Sequence, residues 1–267
     1  MSFTGSPIFI GGSMKSGTSL LRTLISSHEN IFGGLETHWF SENFRANWQD
    51  QESKRQIWMR QFFDVSAAQQ EALIARSNNS HDFFNNFMNF CTIQAGKSRW
   101  VEKTPANISH VETILKYWPN AKIINCVRDC RDVYASWKRV GKESLPFFID
   151  YMNNLTEALG EKIHIKSPSY SFVLYEELVQ NKHVQLEGLF SFLNENYSKE
   201  IGDYQGDETV YDKVLKVTGK VSTTGESLSK PINDAGVQQY KDILTQEEIK
   251  VIERELYTYL SKFSYLN

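Results

Sequence analysis

Two short runs of this 267-residue chain combine cations, hydroxyls and turn residues in a way that suits anions. The first is Gly11-Gly12-Ser13-Met14-Lys15-Ser16-Gly17-Thr18-Ser19. Holding a phosphate or sulfate takes several backbone N–H groups converging at a helix N-terminus, with a cation beside them. Gly17 lets the backbone come close to the anion, Thr18 and Ser19 add hydroxyl donors, and Lys15 adds charge. The run is not the nucleotide loop G-x-x-x-x-G-K-[ST], because Thr18 stands where that lysine belongs. The second run is Arg128-Asp129-Cys130-Arg131-Asp132-Val133-Tyr134-Ala135-Ser136. Arg128 ends an apolar stretch and Ser136 lies within about two turns of the helix that follows, so an arginine fork and a hydroxyl face a second phosphate. The plainer alternative has Arg128 capping a sheet and pairing with Asp132. A magnesium-dependent phosphotransferase needs a carboxylate at a strand end, and Asp129 is the candidate, although Arg128 and Arg131 flank it.

These runs need elements to hold them. Pro7 to Ile10 reads as a short buried strand, and Leu20, Leu21, Leu24 and Ile25 repeat at helical spacing up to Ser27. Strand, glycine-rich loop and helix open a nucleotide-binding α/β fold. Residues 41–97 read as a helical insertion, the natural place for an acceptor site. Its helices carry Trp48, Ile57, Trp58, Phe62 and Phe63, then Ala67 to Arg76, then Phe83 to Ala95. The aromatics at 83, 84, 87 and 90 keep helical spacing and read as core. Further strands are expected at Arg99–Glu102, Ala121–Val127 and Ser171–Leu174. Helices are expected at Val111–Trp118, Asp132–Val140, Leu145–Leu159 and Val184–Asn194. Residues 201–235 show no clear period, and Thr245-Gln246-Glu247-Glu248 is a capping box entering a last helix to about Phe263.

Composition narrows the class. Lys+Arg 29 against Asp+Glu 32 leaves a net charge of −3, which argues against a nucleic-acid binder working through bulk positive charge. With 6 Trp, 12 Tyr and 17 Phe the chain has the material for a core. No apolar run approaches the ~18 residues of a membrane span, and the first residues lack the pattern of a signal peptide. Cys91, Cys126 and Cys130 make no disulfide framework and suit a reducing compartment. No zinc or other metal-ligand spacing links Cys126, Cys130 and the scattered histidines. The expectation is a soluble, cytoplasmic, single-domain α/β protein spanning 1–267.

The two runs together resemble the sulfotransferases that use 3′-phosphoadenosine-5′-phosphosulfate (PAPS). In that family a K/R-S-G-T-[ST] loop holds the 5′-phosphosulfate and R-D-x-R-D-x-x-x-S holds the 3′-phosphate. Lys15, Ser16, Gly17, Thr18 and Ser19 match the first, and Arg128 and Ser136 the second. Val101-Glu102-Lys103-Thr104-Pro105-x-Asn107 resembles a strand-end motif of the family, and Tyr175-Glu176-Glu177-Leu178 its Y-E-x-L, whose tyrosine contacts the nucleotide. The likeness is clear over 7–40, 99–141 and 170–194 and loose over 215–240. It implies a P-loop-type parallel sheet flanked by helices, PAPS as donor, no metal, and a hydroxyl-bearing saccharide, peptide or small molecule as acceptor. In-line sulfuryl transfer would then follow, with Lys15 and Lys103 stabilising charge on the transferred group and the bridging oxygen.

The acceptor hydroxyl needs a base. Glu36, in Gly34-Leu35-Glu36-Thr37-His38, matches the second Glu of the G-E-E-T segment of the tyrosylprotein sulfotransferases, while Leu35 departs from the first. His38 is the rival. A closing loop over the donor, about 215–235, resembles S-[ST]-x-x-x-x-K-P, which points to Lys230 and leaves Ser222, Thr223 and Thr224 as alternatives. The tyrosylprotein enzymes carry an arginine four residues after the serine, where this chain has Val140, with Arg139 beside it. The competing reading is an ATP- and Mg²⁺-dependent small-molecule kinase.

Overall fold

The computed structural model describes residues 5–41, 45–142, 144–160, 166–219 and 223–266. Five strands, β1 (Ile8–Gly12), β2 (Ile31–Gly33), β3 (Arg99–Lys103), β4 (Lys122–Val127) and β5 (Tyr170–Leu174), form one parallel sheet in the order β2-β3-β1-β4-β5. Parallel strands are covered on both faces, which is why they read as unbroken apolar runs. Along β1 the side chains alternate: Ile8 and Ile10 enter one core with Leu21, Leu24 and Ile25 of α1 (Thr18–Ser26). Phe9 enters the other, edge-on to Trp100 at 5.2 Å.

The expected insertion between β2 and β3 is helical. It contains α2 (Lys54–Phe63), α3 (Ala67–Ala75) and α4 (Ser80–Gln94), and each starts on a side-chain cap, Ser53, Ser66 or Asn79. The Ser53 cap sets the start of α2, so Trp48 precedes the helix expected to carry it. Phe83, Phe84 and Phe87 are buried, with Trp39 stacked on Phe84 at 4.5 Å, and Phe90 is half-buried.

The remaining helices are α5 (Val111–Tyr117), α6 (Cys130–Lys138), α7 (Leu145–Leu159), α8 (Tyr175–Gln180), α9 (Lys182–Leu193) and α10 (Lys199–Gly202). They continue through α11 (Glu208–Thr218), α12 (Thr223–Leu228), α13 (Tyr240–Ile243), α14 (Gln246–Glu255) and α15 (Tyr257–Lys262). Three further expectations need correction. Residues 201–235, read as aperiodic, carry α11 and α12. Helix α6 begins at Cys130 rather than Asp132, because the Asp129 carboxylate caps it by accepting from the Arg131 N–H. The last helix begins at the expected Thr245–Glu248 box but breaks at Leu256. The three-residue β2 and a 3₁₀ turn over Pro105–His110 were not legible at all.

Candidate active site

The loop after β1 is built for close approach. Gly12 and Gly17 have φ of 143° and 97°, and Lys15 between them holds a left-handed φ of 71°, a conformation side chains tolerate only where neighbours enforce it. The neighbours are present. The Met14 N–H donates to Tyr151 Oη at 2.9 Å, Trp137 Nε1 donates to the Met14 carbonyl at 3.3 Å, and Cys126 Sγ donates to the Ser16 carbonyl at 3.0 Å. Gly17 then caps α1 without a side-chain bond, so the first N–H groups of the helix face the loop. A Cβ at Gly17 would lie 2.4 Å from the Tyr175 ring. The sequence-predicted Tyr175 therefore packs directly against the loop.

Arg128, at the end of β4, crosses to the same place. Its Nη1 donates to the Lys15 carbonyl at 2.8 Å and its Nη2 to the Gly236 carbonyl at 2.6 Å, while the guanidinium lies 4.2 Å over the Tyr175 ring. Its buried Nε has no partner, and neither has the buried Ser13 Oγ. Arg128 does not pair with Asp132. That carboxylate accepts from the Gln238 and Tyr240 N–H groups at 2.8 and 2.9 Å, tying the C-terminal segment down over the site. Arg131 grips Asp129 and Glu253 and donates to the Tyr265 carbonyl. Asp129, the candidate metal carboxylate, is therefore spent on a cap and an ion pair. Ser136 sits half-buried on α6.

On the other side of β1, strand register sets Lys103 beside Ile10, just short of the loop. Lys103 is buried, its Nζ donates to Ser19 Oγ at 2.9 Å, and it pairs with the Glu36 carboxylate. His38 Nε2 lies 3.2 Å from the second Glu36 oxygen. Burial alone would raise the Glu36 carboxyl, but Lys103 and the His38 hydrogen bond hold it down at about 2. Burial lowers the Lys103 ammonium, with Glu36 opposing. Burial also lowers Lys15, and Lys142 and Arg128 push the same way. The rivals Glu36 and His38 are thus neighbours in one cluster. Glu36 holds the central place, in contact with Lys103 and through it with the anion loop.

Glu102 and Asn107 form a scaffold whose role the motif did not disclose. The buried Glu102 Oε1 accepts from the Thr37 N–H, Thr37 Oγ1 and Thr104 Oγ1, and its Oε2 accepts from Asn107 Nδ2. Asn107 Nδ2 also donates to the Ile10 carbonyl at 3.0 Å, and the His38 N–H donates to Thr104 Oγ1. Four hydrogen bonds on one buried carboxylate make a stiff clamp on the segment that carries Glu36. The signal was an acid next to the expected lysine, yet its partner Thr37 lies 65 residues away.

Other expected residues stay outside this cluster. The Lys230 ammonium pairs with Glu226 on the surface, 3.1 Å away, and Arg139 is exposed at the end of α6. Ser222 lies outside the described residues, as do the side chains of Thr223 and Thr224. The segment that reaches the site is Gly236, one residue beyond the expected closing loop. A cavity of about 650 Å³ is lined by Ser41, Asn47, Asp50, Ser53, Lys54, Arg55 and Trp58. The Trp58 ring lies 6.5 Å from His38. Among the described residues no cluster of three metal-ligating side chains occurs, and no helix is long and apolar enough to cross a membrane.

Comparisons with known proteins bear on the fold and the family. The chain is 23% identical over 207 residues to a putative protein-tyrosine sulfotransferase of Caenorhabditis briggsae, covering 73% of this chain and 67% of that one. It is 24% identical over 244 residues to protein-tyrosine sulfotransferase A of Caenorhabditis elegans, covering 85% and 58%. It thus spans about two thirds or less of these relatives' length. The sulfotransferase domain of the Synechococcus PCC 7002 olefin synthase superposes with a TM-score of 0.66 at 20% identity, covering 95% of this chain and 96% of that one. Mouse sulfotransferase SULT7A1, solved complexed with PAP, superposes with a TM-score of 0.51 at 13% identity, covering 98% and 86%. These likenesses are of fold. Residues 7–199 match the model of the sulfotransferase family, a span that holds the anion loop, Glu36, Lys103, Arg128 and Tyr175, and the chain belongs to that family.

Proposed function

We propose that this chain transfers a sulfuryl group from PAPS to a hydroxyl acceptor, in line, with Glu36 as general base and without a metal. The observation that carries the reading is the Glu36–Lys103–Ser19 relay, which links a half-buried carboxylate through one buried ammonium to the anion loop. The donor fits the residues present. The bare Gly17 and the first N–H groups of α1 face the phosphosulfate position, with Lys15 supplying charge. Arg128, with its unpartnered Nε, and Ser136 take the 3′-phosphate, and Tyr175 flanks the nucleotide.

Three residues divide the work at the reacting centre. Glu36 accepts the proton from the acceptor hydroxyl as the new O–S bond forms, and Lys15 stabilises the negative charge left on the bridging oxygen as the old S–O bond breaks. Lys103 steadies the transferred group. Held near 2 by its cation, Glu36 is ionised but a weak base before the donor arrives. When Lys103 is drawn toward the donor's anionic oxygens, Glu36 loses half its clamp, and burial then raises its basicity where the proton must be taken. The kinase reading lacks its magnesium carboxylate, because Asp129 is committed to Arg131. Transfer of labelled sulfate from PAPS to a panel of phenols, alcohols and sugars, in chelator, is the test. Transfer that needs Mg²⁺ and ATP instead would reject the reading.

A further inference from the structure

A guanidinium is buried beside this site with no hydrogen bond or ion pair among the described residues, and the charges of Glu36 and Asp207 act on it only from a distance. Arg22, on α1, is 6% exposed, and its Nε is buried with no hydrogen-bond partner. Among the described residues neither a hydrogen bond nor an ion pair reaches it. An arginine does not shed its proton to escape such a position, so an unpaired buried one is a standing cost unless an anion joins it.

Arg22 lines a cavity of about 140 Å³ together with Phe32, Gly34, Leu35, Phe62 and Phe63. The exposed Asp64–Lys213 ion pair also borders it, so Asp64 is already neutralised. A Cβ at Gly34 would lie 2.2 Å from the Phe63 ring, so bare backbone and aromatic edges shape the space. Gly34 and Leu35 lead straight into Glu36, and the Arg22 charge acts on Lys103 while Glu36 acts on Arg22. In the sheet order, the end of β2 lies on the far side of β1 from Arg128 at the end of β4. The unpaired cation therefore belongs to the acceptor half of the site, not to the 3′-phosphate.

We propose that this cavity binds a carboxylate of the acceptor, so that the substrate is a compact hydroxy acid with its carboxylate on Arg22 and its hydroxyl at Glu36. Phe32, Phe62 and Phe63 enclose the short apolar stretch between them. At ~30 Å³ per water the space holds about four or five waters, enough for a propionate-sized group. The assignment of the hydroxyl rests on the sulfotransferase reading, whereas the anion site does not.

Propionate is the probe and 1-propanol its neutral control, on the whole chain. In protein labelled with ¹⁵N-arginine, propionate should shift the Arg22 Nε–H resonance saturably and raise Tm, and propanol should do neither. Arg22→Met should be at least as stable as the wild type, should lose the propionate response, and should still bind 3′,5′-ADP. With the donor reading in hand, Arg22→Met should also raise KM for 3-hydroxypropionate at least tenfold relative to KM for 1,3-propanediol. An Arg22 resonance unmoved by propionate, or an Arg22→Met variant responding to propionate like the wild type, overturns the proposal. Propionate binding without 3′,5′-ADP binding in the wild type would uphold the anion site and reject the donor assignment instead.

Discussion

Glu36 sits between Lys103 and His38, and the proposed chemistry depends on that balance. Replacing it by glutamine keeps the shape and removes the base. Turnover of Glu36→Gln should fall by about 10²–10⁴-fold, the usual worth of a positioned base. Its affinity for 3′,5′-ADP should be unchanged, and a variant retaining full turnover would remove Glu36 from the role. The depressed carboxyl also has a pH consequence. A group lowered from the ordinary 4.5 to about 2 contributes stability above the ordinary value, and that contribution is lost as pH falls from about 4.5 toward 2. In Lys103→Met only His38 still opposes burial, so the Glu36 carboxyl rises. The acid limb of kcat/KM should then move up by at least about one pH unit relative to the wild type. An unmoved limb would mean that Lys103 does not govern the carboxylate. The sequence made Lys15, Glu36 and Lys103 legible, because each stands inside a short run with a chemical signature. Arg22 was not legible, because a single arginine on a helix looks like surface until its burial is known.

Elements place these residues, and the one that bears most is the turn between β1 and α1. Gly17 combines a φ of 97° with a ring edge where a Cβ would go. Gly17→Ala should therefore cost about 1–3 kcal/mol of stability and weaken 3′,5′-ADP binding by at least tenfold. If the variant binds as the wild type does, Tyr175 does not wall the loop. Strand, turn and helix here were readable because a buried parallel strand and an amphipathic α1 both announce themselves locally. Strand β2 was not, since three residues carry no period and exist as a strand only by pairing with β3. Helix α11 hid for a different reason. Its Val214 and Val217 pack on the aromatic core, but the glycines and hydroxyls around it dilute the signal over the wider window. In α6 the motif was visible and its division of labour was not. Asp129 is spent locally on the helix cap and on Arg131, and contacts from residues more than a hundred positions away show Arg131 and Asp132 to be structural ties.

At the scale of the molecule, β1 is the switch point of the sheet: the chain reaches β3 and β2 on one side and β4 and β5 on the other. Ligands in open parallel sheets bind where strand order reverses, beyond the carboxyl ends. Arg128 and Tyr175 occupy the β4–β5 side, Lys103 and Glu36 the β3–β2 side, and the loop lies between them. The C-terminal segment completes the first half through Gly236 and the Asp132 ties, a contact no local pattern foretells. A ligand that bridges Arg128 to the loop should stabilise the whole fold by mass action, about 2.7 kcal/mol at a hundredfold excess over Kd. The direct test is calorimetric titration of 3′,5′-ADP in chelator, followed by ATP with Mg²⁺ on the same preparation, for the wild type and Arg128→Ala. The account predicts metal-free, micromolar 3′,5′-ADP binding that Arg128→Ala weakens at least tenfold. Binding of ATP only, and only with Mg²⁺, would contradict it.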